Sequence, residues 1–435
     1  MGAVSVCLLV YLAGFFYLFT ANSSDFDDYA EFGGDTWEYQ ALGVNLLKDH
    51  GYIFGGIEPF QNYKFKRHSV SPGSYEKFVH PEELTQFYRT PGYPLFLSAI
   101  YALGGIHPLA VKFVQLHMMA FMAAMLPVLG IYYWKKEGFL VGTIAACVFV
   151  KYGSPNPAFI LTEPLITFSL FFWTIGFLAW DRHRTMRNSF VLGVLTGINI
   201  LVKPLNLFVF VFVVLLFFLS KEDLSLKYKK CFRFVLGMVI MILPWSTFAS
   251  TSTRSVTMLS KQQWMSIAAG NNERTIFTGE WEPSLFTGHR PELFLYHRLP
   301  EDMPAWKKTL IFFQTYRAQI PLLLANKIRA AFGNIYARTI VYLMLLFYFL
   351  SGLRIVVARW RKETDQHLDF LRREVPCYPI IFLANLLLMT LMLFGENRFV
   401  LVYLYFFILP AIAALLLMAK FILSSLITIK AGGLW

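Results

Sequence analysis

The stretch FVLGVLTGINILVKPLNLFVFVFVVLLFFLS, residues Phe190 to Ser220, is nearly unbroken apolar sequence with one interruption, Lys203-Pro204. An ionised lysine at the centre of a bilayer costs roughly 2.5–3.5 kcal/mol even on lenient insertion scales. Proline also removes a backbone hydrogen-bond donor. A hairpin of two short membrane helices with Lys203 at the turn has a lower free energy than one span that buries the lysine.

The rest of the chain repeats this apolar pattern. Hydrophobic residues make up 56% of the 435 positions and charged residues 15%, well below the roughly 25% usual in soluble domains. Hydropathy predicts about ten spans, several of them shorter than the ~20 residues that usually cross a bilayer. They lie near Val4–Thr20, Ala110–Trp134, Phe139–Val150, Phe159–Trp180, Phe190–Leu201, Pro204–Ser220, Phe232–Ser246, Ile340–Val357, Ile380–Phe394 and Phe399–Phe421. We therefore predict an all-α polytopic membrane protein.

The first of these runs invites comparison with a signal peptide. It lacks a basic segment before it, and Ala21-Asn22-Ser23 is a poor cleavage site. We interpret it as the first transmembrane helix.

Basic residues fix the expected orientation of the spans. The clusters follow the second, fourth, sixth and eighth spans: Lys135 and Lys136; Arg182, Arg184 and Arg187; Lys221, Lys227, Lys229 and Lys230; and Arg354, Arg359, Arg361, Lys362, Arg372 and Arg373. Because short cytoplasmic loops carry excess lysine and arginine, all four loops and the N-terminus are predicted to be cytoplasmic. This placement also accounts for the net charge of +12, so nucleic-acid binding is not expected.

Two large polar segments remain on the opposite, exoplasmic side. We divide the chain into an N-terminal membrane module, residues 1–248, which includes a first exoplasmic loop at 21–91; a second exoplasmic loop, residues 249–337; and C-terminal membrane helices, residues 338–435. Apolar residues at helical spacing predict short surface helices at Thr36–Lys48 and Pro94–Leu103 within this architecture.

Several ionisable residues interrupt or border the apolar runs at their predicted outer ends. They are Asp35, Arg89, Glu163, Lys203 and Arg398. Cations that converge on a phosphate are the expected way to hold a lipid-phosphate leaving group. A neighbouring carboxylate can accept a proton from an attacking hydroxyl. Together these residues predict a site for a lipid phosphate.

Each of these residues also has a structural interpretation. Arg89 and Arg398 can extend to lipid phosphates, and Glu163 can complement a helix dipole. Lys203 can cap a helix end or pair with Glu163. Asp35 can cap a helix that starts at Thr36, with Glu38 completing a capping-box-like pattern.

Seven short motifs occur in the order found in one enzyme family. They are GDTWEY (34–39), FYRTPGYPLF (87–96), LTEPL (161–165), LVKP (201–204), LPW (243–245), GNN (270–272) and Asn397-Arg398, which enters a span ending at Pro410. The ordered set resembles GT-C glycosyltransferases, above all bacterial relatives of protein O-mannosyltransferases and of lipid A aminoarabinose transferases. The resemblance covers the chain from Val4 to about Leu417.

The resemblance implies a GT-C-like bundle and an inverting transfer of a sugar from a polyprenyl-phosphate carrier to an acceptor hydroxyl at the exoplasmic face of a bacterial inner membrane. Carried over by motif, Asp35 is the catalytic base and Glu163 a supporting acid. Arg89, Lys203 and Arg398 bind the carrier phosphate, while Glu38 and Tyr93 contact substrate. Where several relatives have a second acid beside the aspartate, this chain has Thr36, so that role is unfilled or falls to Glu38 or Asp28. The acceptor, whether lipid, glycan or protein, stays open.

No cofactor follows from the residues themselves. Some relatives bind a divalent metal, but the four cysteines lack metal-ligand spacing. Other functions would leave different patterns in the sequence. A flippase for lipid-linked saccharides would favour charges along a path through the membrane and an inverted repeat, and an O-antigen ligase or polymerase would favour a late arginine-rich loop. Neither pattern is visible in the sequence.

Overall fold

The computed structural model of the protein describes residues 3–28, 30–31, 34–48, 52, 65–66, 89–220, 222–260, 262–280, 294–300, 303–362, 364, 374–393 and 395–432. The helices within these residues are α1 (Ala3–Ala21), α2 (Gly34–Leu47), α3 (Gly92–Gly104), α4 (Pro108–Val148), α5 (Thr162–Arg182), α6 (Met186–Val202), α7 (Leu207–Leu219), α8 (Leu224–Thr253), α9 (Gln262–Ala269), α10 (Glu273–Thr278), α11 (Leu295–Arg298), α12 (Ala305–Thr315), α13 (Ile320–Ala331), α14 (Ile335–Trp360), α15 (Tyr378–Met392) and α16 (Asn397–Gly432). Two-residue strands β1 (Ala30–Glu31) and β2 (Phe65–Lys66) pair in parallel.

Among the described residues, six helices are long and apolar enough to cross a membrane. They are Val4–Ala21, Pro108–Gly153, Thr162–Arg182, Leu224–Thr253, Ile335–Trp360 and Arg398–Lys420. The predicted second and third spans are both present within α4, because non-helical backbone at Trp134 and Lys135 divides it into two helices. These two helices fold back on each other, since a Cβ atom on Gly130 would lie 1.9 Å from the carbonyl oxygen of Gly138. The remaining predicted spans correspond to the shorter apolar helices α6, α7 and α15. The predicted fold class, an all-α polytopic membrane protein, is confirmed.

The hairpin predicted around Lys203 is also confirmed. Helix α6 ends at Val202, and Lys203 is extended, with φ −153° and ψ 120°. A short 3₁₀ turn over Pro204–Asn206 then leads into α7. Proline begins the turn because its fixed φ suits a helix start, where no backbone donor is needed.

Helix α16 forms the centre of the membrane core. Nearly all of its side chains from Phe399 to Ala414 are buried, and it packs against α4, α5, α14 and α15. By contrast, α1 and α8 leave most of their apolar side chains uncovered, as suits helices that face lipid. This packing fixes the beginning of α16, which carries Arg398, against the other helices of the core.

Glycines bring α6 and α8 into backbone contact. A Cβ atom on Gly193 would lie 1.9 Å from the carbonyl oxygen of Phe234, and one on Gly237 would lie 2.3 Å from that of Phe190. Small residues at such crossings let membrane helices approach closely. This packing fixes α6, and with it the Lys203 turn at its end.

The two predicted surface helices of the first loop correspond to α2 and α3. Tyr39 and Tyr93 pack edge to face between them, with ring centroids 5.1 Å apart. Helix α2 begins at Gly34, so Asp35 lies in its first turn rather than at the predicted N-cap. Most of the remaining first loop, including much of the basic insertion from Tyr63 to Arg67, lies outside the described residues.

Residues 254–334 correspond to the predicted second exoplasmic loop and are called the second loop below. They connect α8 to α14 and contain helices α9 to α13. Asn272 caps α10 in a reciprocal pair with Thr275. Gly279 then ends α10 at φ +72°, where a Cβ atom would lie 2.2 Å from the carbonyl carbon of Asn326 in α13. Because only glycine fits both the left-handed backbone and the close approach, this residue lets α10 pack on α13.

Candidate active site

Asp35 and Glu38 hold Arg89 from one face of α2. The guanidinium Nη2 of Arg89 bonds Asp35 Oδ1, and its Nε donates to Glu38 Oε2 at 2.6 Å. The two carboxylates converge because residues three apart share a helix face. Arg89 also lies over the ring of Tyr39, with Cζ 5.1 Å from the ring centroid, a favourable cation–π geometry. Asp35, Glu38 and Tyr39, all in the GDTWEY motif of α2, therefore hold the Arg89 side chain in place.

Arg398 reaches the same aspartate from the first turn of α16. Its Nη1 donates to Asp35 Oδ2 at 2.9 Å, and its Nε lies 2.6 Å from Glu396 Oε1. Each oxygen of Asp35 thus binds a different arginine, Oδ1 to Arg89 and Oδ2 to Arg398. Charge-assisted bonds of this kind are among the stronger polar contacts in proteins.

Lys203 completes the group of cations. Its Nζ lies 2.7 Å from Glu163 Oε1 and donates to Thr162 Oγ1 at 2.9 Å. The ring of Phe399 lies beneath both Lys203 and Arg398, 5.1 Å from Nζ and 5.5 Å from Cζ. Lys203 and Arg398 therefore share one aromatic support.

Direct contacts tie the first loop to the Lys203 turn. Thr90 Oγ1 donates to the carbonyl of Val202 at 3.2 Å, and Tyr52 donates its hydroxyl to the carbonyls of Arg89 and Thr90. A Cβ atom on Gly92 would lie 2.6 Å from Val202 Cα. The absence of a side chain at Gly92 thus lets the start of α3 sit directly against the end of α6.

The cations control the ionisation of the two α2 carboxyls in opposite ways. Burial raises the pKa of Asp35, but attraction by Arg89, Arg398 and Lys203 outweighs it and holds the pKa below its usual value. For Glu38, burial dominates, and its pKa is raised despite the opposing effect of Arg89. Asp35 is consequently ionised at neutral pH, whereas Glu38 is the more readily protonated neighbour.

These groups border a cavity of about 340 Å³. Its charged and polar lining consists of Asp35, Tyr39, Arg89, Thr90, Lys203, Ser260, Ser266 and Arg398. Its apolar lining consists of Pro204, Leu207, Phe208, Ile267, Met389, Met392, Leu393 and Phe399. Such a cavity suits an amphipathic anion, because it offers cations for a charged group and a wall of aliphatic and aromatic carbon for a hydrocarbon chain.

The structure brings most of the predicted site residues together. Asp35, Arg89, Lys203 and Arg398 line the cavity. Glu38 and Glu163 lie outside the lining, and each is bonded to a cation that lines the cavity, Arg89 and Lys203 respectively. The placement of Glu163 matches the structural alternative considered for it, a pair with Lys203. A direct role in chemistry for Glu163 stays a prediction.

Tyr93, predicted to contact substrate, is absent from the residues that line the cavity. Its side chain is fully buried, and its hydroxyl donates to Gln115 Oε1 at 2.8 Å. Gln115 in turn donates to the carbonyls of Pro157 and Phe159. Tyr93 therefore joins α3 to α4 and to the segment before α5, away from the lining of the cavity. A direct contact between Tyr93 and substrate stays a prediction.

Sequence reasoning missed several residues of the site. Ser260, Ser266 and Ile267 reach the cavity from the second loop, and no local pattern distinguished them from other loop residues. Phe399 could have been found from its place beside Arg398 in the motif. Glu396, which pairs with Arg398, could likewise have been found from the polar interruption GENR between two apolar runs.

The divalent metal considered from the resemblance finds no donor set in the part of the chain that the structure describes. No three histidine, cysteine, aspartate or glutamate side chains there are grouped to hold a metal ion. Asp35, Glu38 and Glu163 are each bonded to a cationic side chain instead.

Fold and site together define a polytopic helical membrane protein with an amphipathic cavity lined by arginine and lysine. Among solved structures, the chain is similar to the crystal structure of ArnT from Cupriavidus metallidurans bound to undecaprenyl phosphate, with a TM-score of 0.41 and 14% sequence identity. The similarity covers 95% of this chain and 76% of that one. No protein-family model and no curated protein sequence matches the chain.

Proposed function

We propose that the protein is a GT-C-type membrane glycosyltransferase that moves a sugar from a polyprenyl-phosphate carrier to an acceptor hydroxyl. One observation carries this proposal: Asp35, Arg89, Lys203 and Arg398, from four separated parts of the chain, line one cavity that also has an apolar wall. A phosphate joined to a long hydrocarbon chain matches both parts of that lining.

The carrier phosphate binds between Arg89, Lys203 and Arg398. Guanidinium groups suit this role because their planar set of donors matches phosphate oxygens. The polyprenyl chain lies along the apolar wall that includes Leu207, Phe208 and Met389. Because such a chain is already surrounded by hydrocarbon in the bilayer, the wall contributes van der Waals packing to its binding rather than removal of methylenes from water.

Phosphate binding and base activation are coupled through Asp35. Asp35 bonds both Arg89 and Arg398, and these two contacts make it a weak base. A bound phosphate attracts the same guanidinium groups and weakens their hold on the carboxylate. The pKa of Asp35 then rises toward the range in which a carboxylate accepts a proton effectively.

The transfer itself is a single displacement. The acceptor oxygen forms a bond to the anomeric carbon, and the bond from that carbon to the phosphate oxygen breaks, so the anomeric configuration inverts. The hydroxyl proton passes to Asp35. The carrier phosphate leaves with the bonding electron pair, and the three cations stabilise its added charge. Removal of one such stabilising group costs about 10²–10³ in rate, and removal of a general base costs about 10²–10⁴.

Loop charge and the hydroxyls in the cavity lining support a proposal for the location of the site and for its acceptor. The four basic loops favour a cytoplasmic N-terminus, and with it an exoplasmic site in a bacterial inner membrane. Ser260 and Ser266 are hydroxyls in the cavity lining that suit contacts with sugar hydroxyls. The acceptor is a lipid, glycan or protein that presents a hydroxyl at the membrane surface.

The direct test uses purified protein in lipid nanodiscs with a polyprenyl-phosphate sugar labelled in the sugar, supplied with extracted envelope lipids and glycans as acceptors. We expect transfer of label and stoichiometric release of the carrier phosphate. In proteoliposomes, movement of the intact labelled lipid between leaflets without release of carrier phosphate would instead identify a flippase and refute the transferase.

A further inference from the structure

A buried lysine of the second loop contacts the end of α15. Lys327, in α13, has no exposed side-chain surface. Its Nζ donates to Asn271 Oδ1 at 2.6 Å and to the carbonyl of Leu391 at 2.8 Å. Asn271 continues the contact, since its Nδ2 donates to the carbonyl of Met392 at 2.8 Å and to that of Ile267 at 2.6 Å.

These bonds complete the C-terminal end of a membrane helix. Leu391 and Met392 belong to the last turn of α15, where backbone carbonyls have no partner within the helix. Lys327 and Asn271 supply donors to two of them. A cation near a helix C-terminus also complements the helix dipole. The second loop therefore caps α15 with side chains.

The capped end leads directly to Arg398. Gly395 donates its backbone N–H to the carbonyl of Gly279 at 2.8 Å, and a Cβ atom on Gly395 would lie 2.0 Å from the carbonyl oxygen of Lys327. Gly395, which lies between α15 and Arg398, is thus packed against α13 and against the end of α10. Met392 also lines the cavity, as does Ile267, whose carbonyl Asn271 bonds.

We propose that Lys327 is a positioning residue: through Asn271 and the capped end of α15, it fixes the turn that places Arg398 against Asp35. Loss of the Lys327 side chain lets that turn shift and weakens the binding of an anion in the cavity by Arg398. The identity of that anion as a polyprenyl phosphate rests on the proposed function, whereas the positioning of the turn does not.

The choice of lysine at this place has an energetic cost. Both of its bonding partners are neutral oxygens, and burial lowers the pKa of Lys327 to about 7. Burying an ammonium without a counter-ion costs free energy. If the carbonyls of α15 needed no hydrogen-bond donor, an apolar side chain at this position would give a more stable protein. The cap on α15 is what an apolar side chain cannot provide.

The test compares Lys327→Met with Lys308→Met. Lys308 is a second buried lysine of the second loop; it donates to the carbonyl of Tyr296 at 3.3 Å and lies over the Tyr296 ring. It therefore controls for general loosening of that loop. With a soluble polyprenyl phosphate as probe, we expect K327M to weaken binding about 10-fold, which corresponds to about 1.4 kcal/mol, and K308M to leave binding unchanged.

A double-mutant cycle separates positioning from general damage. If Lys327 acts through Arg398, K327M weakens probe binding by less than about 2-fold once Arg398→Gln is present, because coupled residues are not additive. In the Arg89→Gln background the full effect of K327M remains. Equal effects of K327M in both backgrounds would overturn the inference.

Hydrogen exchange gives a readout that does not depend on the ligand. We expect faster exchange of backbone amides between residues 391 and 399 in K327M than in the wild type or K308M. Unchanged exchange in that segment would overturn the inference even if activity fell. Should K327M fail to fold, Asn271→Leu removes the donor to Met392 and is expected to give the same local change. If the wild type binds no polyprenyl phosphate, the proposed function fails, and exchange alone then decides the positioning role.

Discussion

Arg398 and Asp35 lie 363 residues apart in the sequence, yet Arg398 Nη1 donates to Asp35 Oδ2 at 2.9 Å. The other oxygen of Asp35 is bonded by Arg89. One carboxylate therefore pairs with two cations that line the cavity. A ligand phosphate has to compete with Asp35 for them.

Asp35→Asn is expected to separate binding from catalysis. The amide cannot accept the acceptor's proton, so turnover falls by about 10²–10⁴. It also no longer neutralises Arg89 and Arg398, so the affinity for a polyprenyl phosphate stays equal or rises. Turnover is measured as released carrier phosphate, and affinity by titration with the carrier.

The matched control is Asp181→Asn, which removes a carboxylate that pairs with the partly exposed Arg184 far along α5 from the site. This variant is expected to keep wild-type turnover and affinity. Near-normal turnover in D35N, with folded protein recovered, would exclude Asp35 as the base.

Glu163 and Lys203 are expected to act as one unit. Lys203 Nζ lies 2.7 Å from Glu163 Oε1, and both side chains are largely buried. Glu163→Gln leaves a buried ammonium without its counter-ion, and breaking such a pair costs about 3–5 kcal/mol of stability. Lys203→Met removes a phosphate ligand and lowers turnover by about 10²–10³.

A double-mutant cycle tests this coupling. If Glu163 serves only to hold Lys203, the double variant E163Q/K203M has the turnover of K203M alone and a higher thermal stability than E163Q. A turnover in the double variant far below that of K203M would show that Glu163 takes a direct part in the reaction.

Carrier affinity is expected to fall as pH rises. Burial raises the pKa of Glu38 and of Glu396, against the opposing attraction of Arg89 and Arg398 respectively. A phosphate bound nearby raises both pKa values further, so the complex takes up protons that the free protein lacks. By linkage, the dissociation constant increases with pH once pH exceeds the pKa values of the free protein.

Calorimetric titration in two buffers of different ionisation enthalpy measures this proton uptake. The double variant E38Q/E396Q is expected to lose most of the pH dependence, whereas Glu280→Gln, at an exposed position of the second loop, keeps it. A dissociation constant with the same pH dependence in all three proteins contradicts the assignment.

Gly92 and Gly104, near opposite ends of α3, provide a matched pair for testing how the site is assembled. A Cβ atom on Gly92 would lie 2.6 Å from Val202 Cα, beside Lys203, whereas one on Gly104 would have no neighbour within 4 Å. Gly92→Ala is therefore expected to lower the melting temperature and to reduce turnover by displacing the Lys203 turn. Gly104→Ala should be neutral or stabilise by about 0.4–1 kcal/mol, since it restricts the unfolded chain. Equal melting temperatures and turnovers for the two variants would show that the close approach is unimportant.

Sequence could predict those parts of the structure in which a few neighbouring residues carry a large free-energy penalty for any other arrangement. An uncompensated charge in an apolar run is expensive enough that Lys203 alone predicted a helical hairpin and its turn. The same reasoning singled out Arg398, and the motif order singled out Asp35 and Arg89. Each of these residues lines the cavity.

The parts that escaped prediction depend on packing between distant segments. Nothing in the sequence IPLLLANKIRAA of α13 distinguishes Lys327 from a surface lysine, because its burial comes from the contact of α13 with the end of α15. Ser260 and Ser266 reach the cavity only through the path of the second loop. The burial of Tyr93 and its bond to Gln115 could not be predicted either, because both depend on how α3 packs against α4.

The bond between Arg398 and Asp35 also has a consequence for biogenesis. During synthesis the first loop and most membrane helices emerge before residue 398 has been translated. Until α16 is inserted, Asp35 has only part of its cationic shell and the cavity lacks Arg398 and Phe399. If the protein has the proposed function, the nascent chain therefore cannot act on a lipid carrier before α16 is in the membrane.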